Sequence, residues 1–186
     1  MINIDNISFS YPEKNVISNL SPQIHKNSRI CLFGESGCGK TTLLKLILGL
    51  LTPSSGIIHG IDSLKPSVVF QENRLLPFKS VMENITLIGS NQETALKHLK
   101  ALGLEEFANS RPKELSGGMQ RRAAIARALS ADFDFLVLDE PFTGLDDANI
   151  KTCANHILNT AKHRPIILVT HSLAEAELFG AQIINM

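Results

Sequence analysis

Apolar positions recur with two periods along the chain, and the change from one to the other lays out its elements. Ile2, Ile4, Ile7 and Phe9 alternate imperfectly, predicting a strand that ends near Tyr11-Pro12. The segment Met1 to Asp5 belongs to that strand and lacks the basic-then-apolar layout of a secretory signal. A second strand is expected from Val16 to Ile24, followed by a turn at Lys26-Asn27-Ser28 in which Asn27 takes a positive φ. Arg29 to Phe33 is a short apolar strand. A helix is expected from Thr41 to Leu50, broken by Thr52-Pro53-Ser54-Ser55-Gly56, with strand returning at Ile57-Ile58 and Ser67 to Phe70.

Downstream the period lengthens. Val81 to Leu87 and Gln92 to Leu102 read as helices, with Ala95, Leu96, Leu99 and Leu102 on one face and Gly103 as a stop. Asn73 to about Ala131 reads as a mostly helical subdomain inserted into a sheet-bearing core. Asp134 to Leu138 and Pro165 to Thr170 are apolar runs of buried parallel-strand type, separated by a helix from Ala148 to Lys162. Ala181 to Asn185 is a last strand. Strands alternating with helices predict a right-handed parallel α/β core.

Composition narrows the class. At 186 residues the chain has room for one domain with a sizeable core. A formal net charge of +0 gives no broad attraction to nucleic acid or anionic lipid. No run approaches the roughly 18 apolar residues of a membrane span; the greasiest, Leu43 to Leu51, is broken by Lys45 and Gly49. Cys31, Cys38 and Cys153 lack CxxC spacing, which argues against a disulfide framework or a zinc site and points to a reducing cytoplasm.

The chemistry begins at Gly34-Glu35-Ser36-Gly37-Cys38-Gly39-Lys40-Thr41, which fits G-x-x-x-x-G-K-[ST] between a strand and a helix. Its glycines let backbone N–H groups turn inward around phosphates, and the helix N-terminus adds positive potential. Lys40 is placed to reach the β- and γ-phosphates of ATP, and the Thr41 hydroxyl to ligate Mg²⁺. Asp139 and Glu140 end the apolar strand from Phe135. Asp139 suits the outer shell of Mg²⁺, and Glu140 the polarisation of a water attacking the γ-phosphorus. Without the glycine loop, two acids after a strand would read as solvated surface. Ser116, Gly117 and Gly118 open a helix through Arg121 to Leu129, a start that suits an anion and equally a simple Ser cap. Cys38 lies inside the phosphate loop beside a helix N-terminus, and a small residue that merely fits accounts for it.

These motifs, in this order, resemble the nucleotide-binding subunit of an ATP-binding cassette (ABC) transporter. LSGGMQRR (115–122) is similar to that family's signature, and the match runs from Tyr11 to His171. The resemblance implies one ABC ATPase domain over residues 1–186: a P-loop NTPase parallel-sheet core, an N-terminal antiparallel β subdomain and the inserted helical subdomain. It implies that Tyr11 stacks on adenine and that residues 34–42, Thr42 included, cradle the phosphates. Gln71 would contact Mg²⁺ and sense the membrane partner, and His171 would touch the γ-phosphate. Ser116, Gly117 and Gly118 would bind the γ-phosphate held by another copy. Gly144-Leu145-Asp146 resembles the loop across that dimer interface, while Asp146 also reads as a helix cap. Lys40, Glu140 and His171 are the implied catalytic residues; Thr41, Gln71 and Asp139 the implied metal contacts.

The same resemblance implies partners: a second ATPase subunit, expected as a homodimer, and separate permease chains docking at residues 71–84 (QENRLLPFKSVMEN). The segment 60–84 looks like the nitrate, sulfonate and taurine importer group, which would also use an extracytoplasmic binding protein at the other side of the membrane. The protein is then peripheral, on the cytoplasmic face. Phe78 stands where that group often has tryptophan, Asn27-Ser28 where glycine is common, and Ser172 where aspartate is frequent. Because the chain stops at Met186, a regulatory C-terminal domain is expected to be absent and the sheet edge abbreviated. The alternatives are an exporter ATPase, an ABC-type ATPase of translation or DNA repair, and a non-hydrolysing scaffold. The second would need tandem cassettes or a long insertion and a basic surface, and the third a damaged Lys40, Glu140 or His171.

Overall fold

The computed structural model describes residues 2–186; Met1, read with the opening strand, lies outside them. Strand β1 (Ile2–Tyr11) pairs antiparallel with β2 (Lys14–Leu20) and then β3 (Gln23–Ile24) along one edge. The expected single strand from Val16 to Ile24 is thus two, separated at Ser21-Pro22, where proline has no N–H for the ladder. After the turn at Asn27 (φ 69°), β4 (Arg29–Phe33) leads into helix α1 (Lys40–Ile47). Strand β5 (Ser55–His59) then returns to the other edge of β1, so that Asn3 faces both Gln23 and His59. Helix α1 stops three residues short of Leu50, since Gly49 takes φ 67° and Leu50 and Leu51 both donate back to the Lys45 carbonyl.

A second, five-stranded sheet is parallel throughout. Its members are β6 (Pro66–Val69), β7 (Phe135–Asp139), β8 (Ile166–Val169) and β9 (Gln182–Asn185) with β4, ordered β6-β7-β8-β4-β9. Side chains alternate between its faces, which divides the core in two. Phe135, Val137, Ile167 and Val169 pack with Leu43, Leu46 and Ile47 of α1 and with Ile2, Ile4 and Ile7 of β1. Leu136, Leu138, Ile166 and Leu168 face the remaining helices.

Three of those helices lie between β6 and β7: α2 (Val81–Thr86), α3 (Gln92–Ala101) and α4 (Gly117–Ser130). Each has a polar cap at its start. Ser80 and Glu83 close a capping box on α2, Asn91 accepts from Thr94 N, and Ser116 accepts from Met119 N. On α3 the buried stripe is Ala95, His98, Leu99 and Leu102, whereas Leu96, expected on that face, is 39% exposed. The spacing i, i+3, i+4, i+7 admits position 98 and turns 96 outward. His98 Nδ1 lies 2.9 Å from His156 Nε2 on α5 (Asp147–Ala161). Helix α6 (Leu173–Phe179) was not anticipated; Ser172 caps it and Gly180 (φ 56°) closes it. Among the described residues no helix is long and apolar enough to cross a membrane.

Candidate active site

The strands β4, β8 and β7 are neighbours and parallel, so their C-terminal ends deliver three loops to one end of the sheet. The loop after β4 is the glycine-rich one. Gly39 caps α1 at φ 111°, a conformation side chains resist, and a Cβ there would sit 2.8 Å from Val16 Cγ1. Lys40 is only 8% exposed, and its ammonium donates to the carbonyls of Gly34 (2.7 Å) and Glu35 (2.8 Å), with Cys38 Sγ at 3.7 Å. Those are weak substitutes for phosphate oxygens, and the loop holds its cation ready inside its own curve. Glu35, Ser36, Gly37 and Thr41 are exposed, while Thr42, within α1, is buried. Sequence reasoning overlooked Lys14, which donates to the Gly37 carbonyl (3.3 Å) and so braces the loop from the β1–β2 turn.

Three cavities gather most of the expected residues. One of about 200 Å³ brings Tyr11 and Lys14 to Gly37, Gly39, Lys40, Thr41 and Thr42. Tyr11 is 43% exposed there and braced edge-on by Phe9, with ring centres 5.1 Å apart, which leaves it free to stack a base. A second of about 240 Å³ is lined by Thr41, Gln71 and Asp139 together, the three residues expected at the metal. A third of about 320 Å³ joins Glu140, Thr143 and Gly144 to His171. Ser116 and Gly117 line none of these three. They lie exposed at the start of α4, where Gly118 approaches the Gly144 carbonyl: a Cβ on Gly118 would lie 3.3 Å from it. Asp146 caps α5 by accepting from Asn149 N at 2.8 Å, so its capping reading holds whatever else it does.

The two carboxylates differ in setting. Asp139 is buried, and burial raises its pKa, with Glu140 adding to the rise; Arg121, Lys40 and Arg74 oppose it. Glu140 stands in the left-handed region at φ 45°, uncommon for a side-chain-bearing residue. Its N–H donates to the Val169 carbonyl at 2.9 Å and its carbonyl accepts from Arg121. That kink aims its carboxylate at His171, whose Nδ1 lies 3.7 Å from Oε1, an ion pair when the ring is protonated. Strain of this kind costs about 1–3 kcal/mol and persists only where the surroundings enforce it. Arg121 is the second residue sequence reasoning overlooked, having counted it only within its helix.

Thr41, Gln71 and Asp139 offer a hydroxyl, an amide oxygen and one carboxylate, the hard oxygen set that suits Mg²⁺. No three His, Cys, Asp or Glu side chains form a metal cage among the described residues. Mg²⁺ held with substrate phosphates needs no such cage, since one or two carboxylates suffice, so the residues present fit it.

The whole arrangement is that of an ATP-hydrolysing cassette, and comparison with known proteins agrees. The ABC transporter family model matches residues 17–143. A taurine import ATP-binding protein of Yersinia pestis is 37% identical, the match covering 99% of this chain and 78% of that protein. An aliphatic sulfonates import ATP-binding protein of Paraburkholderia xenovorans is 38% identical over 100% and 76% of the two chains. A nitrate import ATP-binding protein of Synechococcus elongatus is 36% identical over 91% and 69%. Among solved structures, a dimeric ATP-binding cassette in a post-hydrolysis state bound to ADP and Pi superposes with a TM-score of 0.86 at 28% identity. That superposition covers all of this chain and 94% of the other. The chain belongs to the ABC transporter family, as one of its ATP-hydrolysing subunits.

Proposed function

We propose that this subunit hydrolyses MgATP at a site completed by a second copy of itself, and so drives import of a small anion such as nitrate or a sulfonate through separate permease chains. The alignment of the β4, β7 and β8 ends carries the reading, because it sets Lys40, Asp139-Glu140 and His171 at one end of one rigid sheet.

Tyr11 stacks the adenine, and the inward N–H groups of residues 34–42 hold the phosphates against the start of α1. Lys40 leaves the Gly34 and Glu35 carbonyls for phosphate oxygens. Thr41, Gln71 and Asp139 hold Mg²⁺, which supplies neutralisation of charge on the phosphates. Glu140 takes a proton from the attacking water as the water oxygen bonds to the γ-phosphorus. The bond to the bridging oxygen breaks, and ADP and phosphate leave. His171 hydrogen-bonds the transferring group from the far side of Glu140. Catalysis is chiefly positioning and charge stabilisation.

Ser116 and Gly117, exposed and apart from the three cavities, meet the γ-phosphate held by the partner copy. A two-fold dimer satisfies this with one self-complementary surface. The exposed Leu76 (49%) and Phe78 (85%) form the permease-docking groove, on the cytoplasmic face of the membrane. An extracytoplasmic binding protein delivers the anion. Import is favoured over export because the relatives compared are import proteins.

Replacing Glu140 by Gln tests the chemistry. ATP should still bind while turnover falls by about 10²–10⁴-fold. A variant that turns over at the wild-type rate excludes Glu140 as the base.

A further inference from the structure

We propose that Arg121 is a positioning residue for ATP turnover: from the helix that carries Ser116 it fixes the backbone of Gln71 and of Glu140 in the same chain. The inference rests on Glu140 acting as the base, and it adds a link between the signature loop and the hydrolytic machinery.

The geometry is unusual for an arginine. Arg121 is 2% exposed and pairs with no carboxylate; every acceptor it meets, save one, is a main-chain carbonyl. Nε donates to Pro141 O at 2.8 Å. Nη1 donates to Phe70 O, to Gln71 O at 3.2 Å and to Asn73 Oδ1 at 3.3 Å. Nη2 donates to Asp139 O at 2.9 Å and to Glu140 O. One planar fork therefore joins three segments: the start of α4, the loop after β6 and the end of β7. Lysine carries three donors in a compact head and no fixed plane, so it cannot hold both loops at once.

The consequence lies at Glu140. Its φ of 45° is held by its own N–H bond to Val169 and by the bonds to its carbonyl, a short one from Arg121 and longer ones from Thr143 Oγ1 (3.2 Å) and Thr143 N (3.4 Å). With Arg121 gone, only the longer Thr143 bonds, made from within the same turn, remain on that carbonyl, and the peptide relaxes toward an unstrained conformation, carrying the carboxylate away from His171. A displacement of about 1 Å at a reacting group costs on the order of 10²-fold in rate. The same fork keeps the Gln71 peptide in place beside the cavity it shares with Thr41 and Asp139.

Arg127 supplies the control. It lies on the same helix and donates to the carbonyls of Arg74 (2.7 Å) and Asn73 (3.0 Å), tying α4 to the same loop without touching β7. The test compares R121K, R121Q and R127K for binding of a fluorescent N-methylanthraniloyl ATP, phosphate release per bound nucleotide, and thermal melting. Both Arg121 variants should bind nucleotide with Kd within about threefold of wild type. Their turnover per bound nucleotide should fall at least about 10-fold with KM little changed, while R127K stays within about threefold. The proposal is overturned if either Arg121 variant keeps wild-type turnover per bound nucleotide, or if R127K loses as much. It is equally overturned if neither Arg121 variant folds, because the residue then serves folding alone. The E140Q variant separates the two readings. Wild-type turnover in E140Q sinks the base assignment, whereas a collapsed E140Q beside an unaffected R121K sinks only the role of Arg121.

Discussion

Replacing Gly39 by Ala perturbs the phosphate loop at its tightest point, and the cost follows from two observed quantities. The residue stands at φ 111°, where an L side chain is strained by about 1–3 kcal/mol. The added methyl carbon would also lie 2.8 Å from Val16 Cγ1 and 3.2 Å from the Val16 carbonyl, both too close. The first neighbour is a branched side chain on β2 and the second is backbone, so neither gives way freely. Overpacking of that kind adds about 1–3 kcal/mol. The sum, about 2–6 kcal/mol, is divided between folding and ATP binding according to how far the loop distorts rather than the strand. If only 2 kcal/mol fell on binding, affinity would drop about 30-fold. Titration with a fluorescent ATP analogue, together with a thermal melt, measures both shares. A second variant adds a check: Val16→Ala in the G39A background removes the Cγ1 contact and should restore part of the loss but not the strain. G39A binding within threefold of wild type at an unchanged melting temperature would refute the argument that this turn requires glycine.

Other outcomes follow from buried polar groups. Asn84 is 2% exposed; its side chain accepts from Leu76 N (2.7 Å) and donates to the Leu76, Lys79 and Ser80 carbonyls. N84A should cost about 1–3 kcal/mol and loosen the turn that presents Phe78, giving faster tryptic cleavage at Lys79; a wild-type melting profile would contradict this. Burial, helped by His156 and Lys97, pushes His98 down to about 4 from an unfolded value near 6.5, and burial also lowers His156. A depressed base binds fewer protons folded than unfolded, so this contribution is complete above about pH 6.5 and is lost as pH falls toward 4. Urea titrations should show about 1–3 kcal/mol less stability at pH 4.5 than at 7, a loss reduced in H98Q; identical pH dependence in the two proteins would contradict it.

Much of the fold was legible because its strongest signals are local. The apolar runs at 134–138 and 165–170 lie within one or two residues of β7 and β8, since a strand buried on both faces has no polar positions to blur it. The glycine loop is a contiguous code, and its strand and helix appear where the motif demands them. What escaped depends on distant partners. Arg121 reads in sequence only as part of the helix that Ser116 opens, yet all but one of its acceptors are main-chain carbonyls from the ends of β6 and β7, which no side chain announces. His98 sits in a polar run but completes the apolar stripe because His156 answers it across the helix contact. Helix α6 has a cap and a closing glycine at either end, a local signal that short helices leave easily unread.

The central claim, that ATP is enclosed between two copies, is tested most directly by the mass of E140Q in solution with and without MgATP. The account predicts a species of twice 20.3 kDa when nucleotide is bound, monomer without it, and monomer with bound nucleotide once Ser116→Arg is added. Nucleotide-loaded E140Q that stays monomeric, or a dimer indifferent to the Ser116 change, would contradict it.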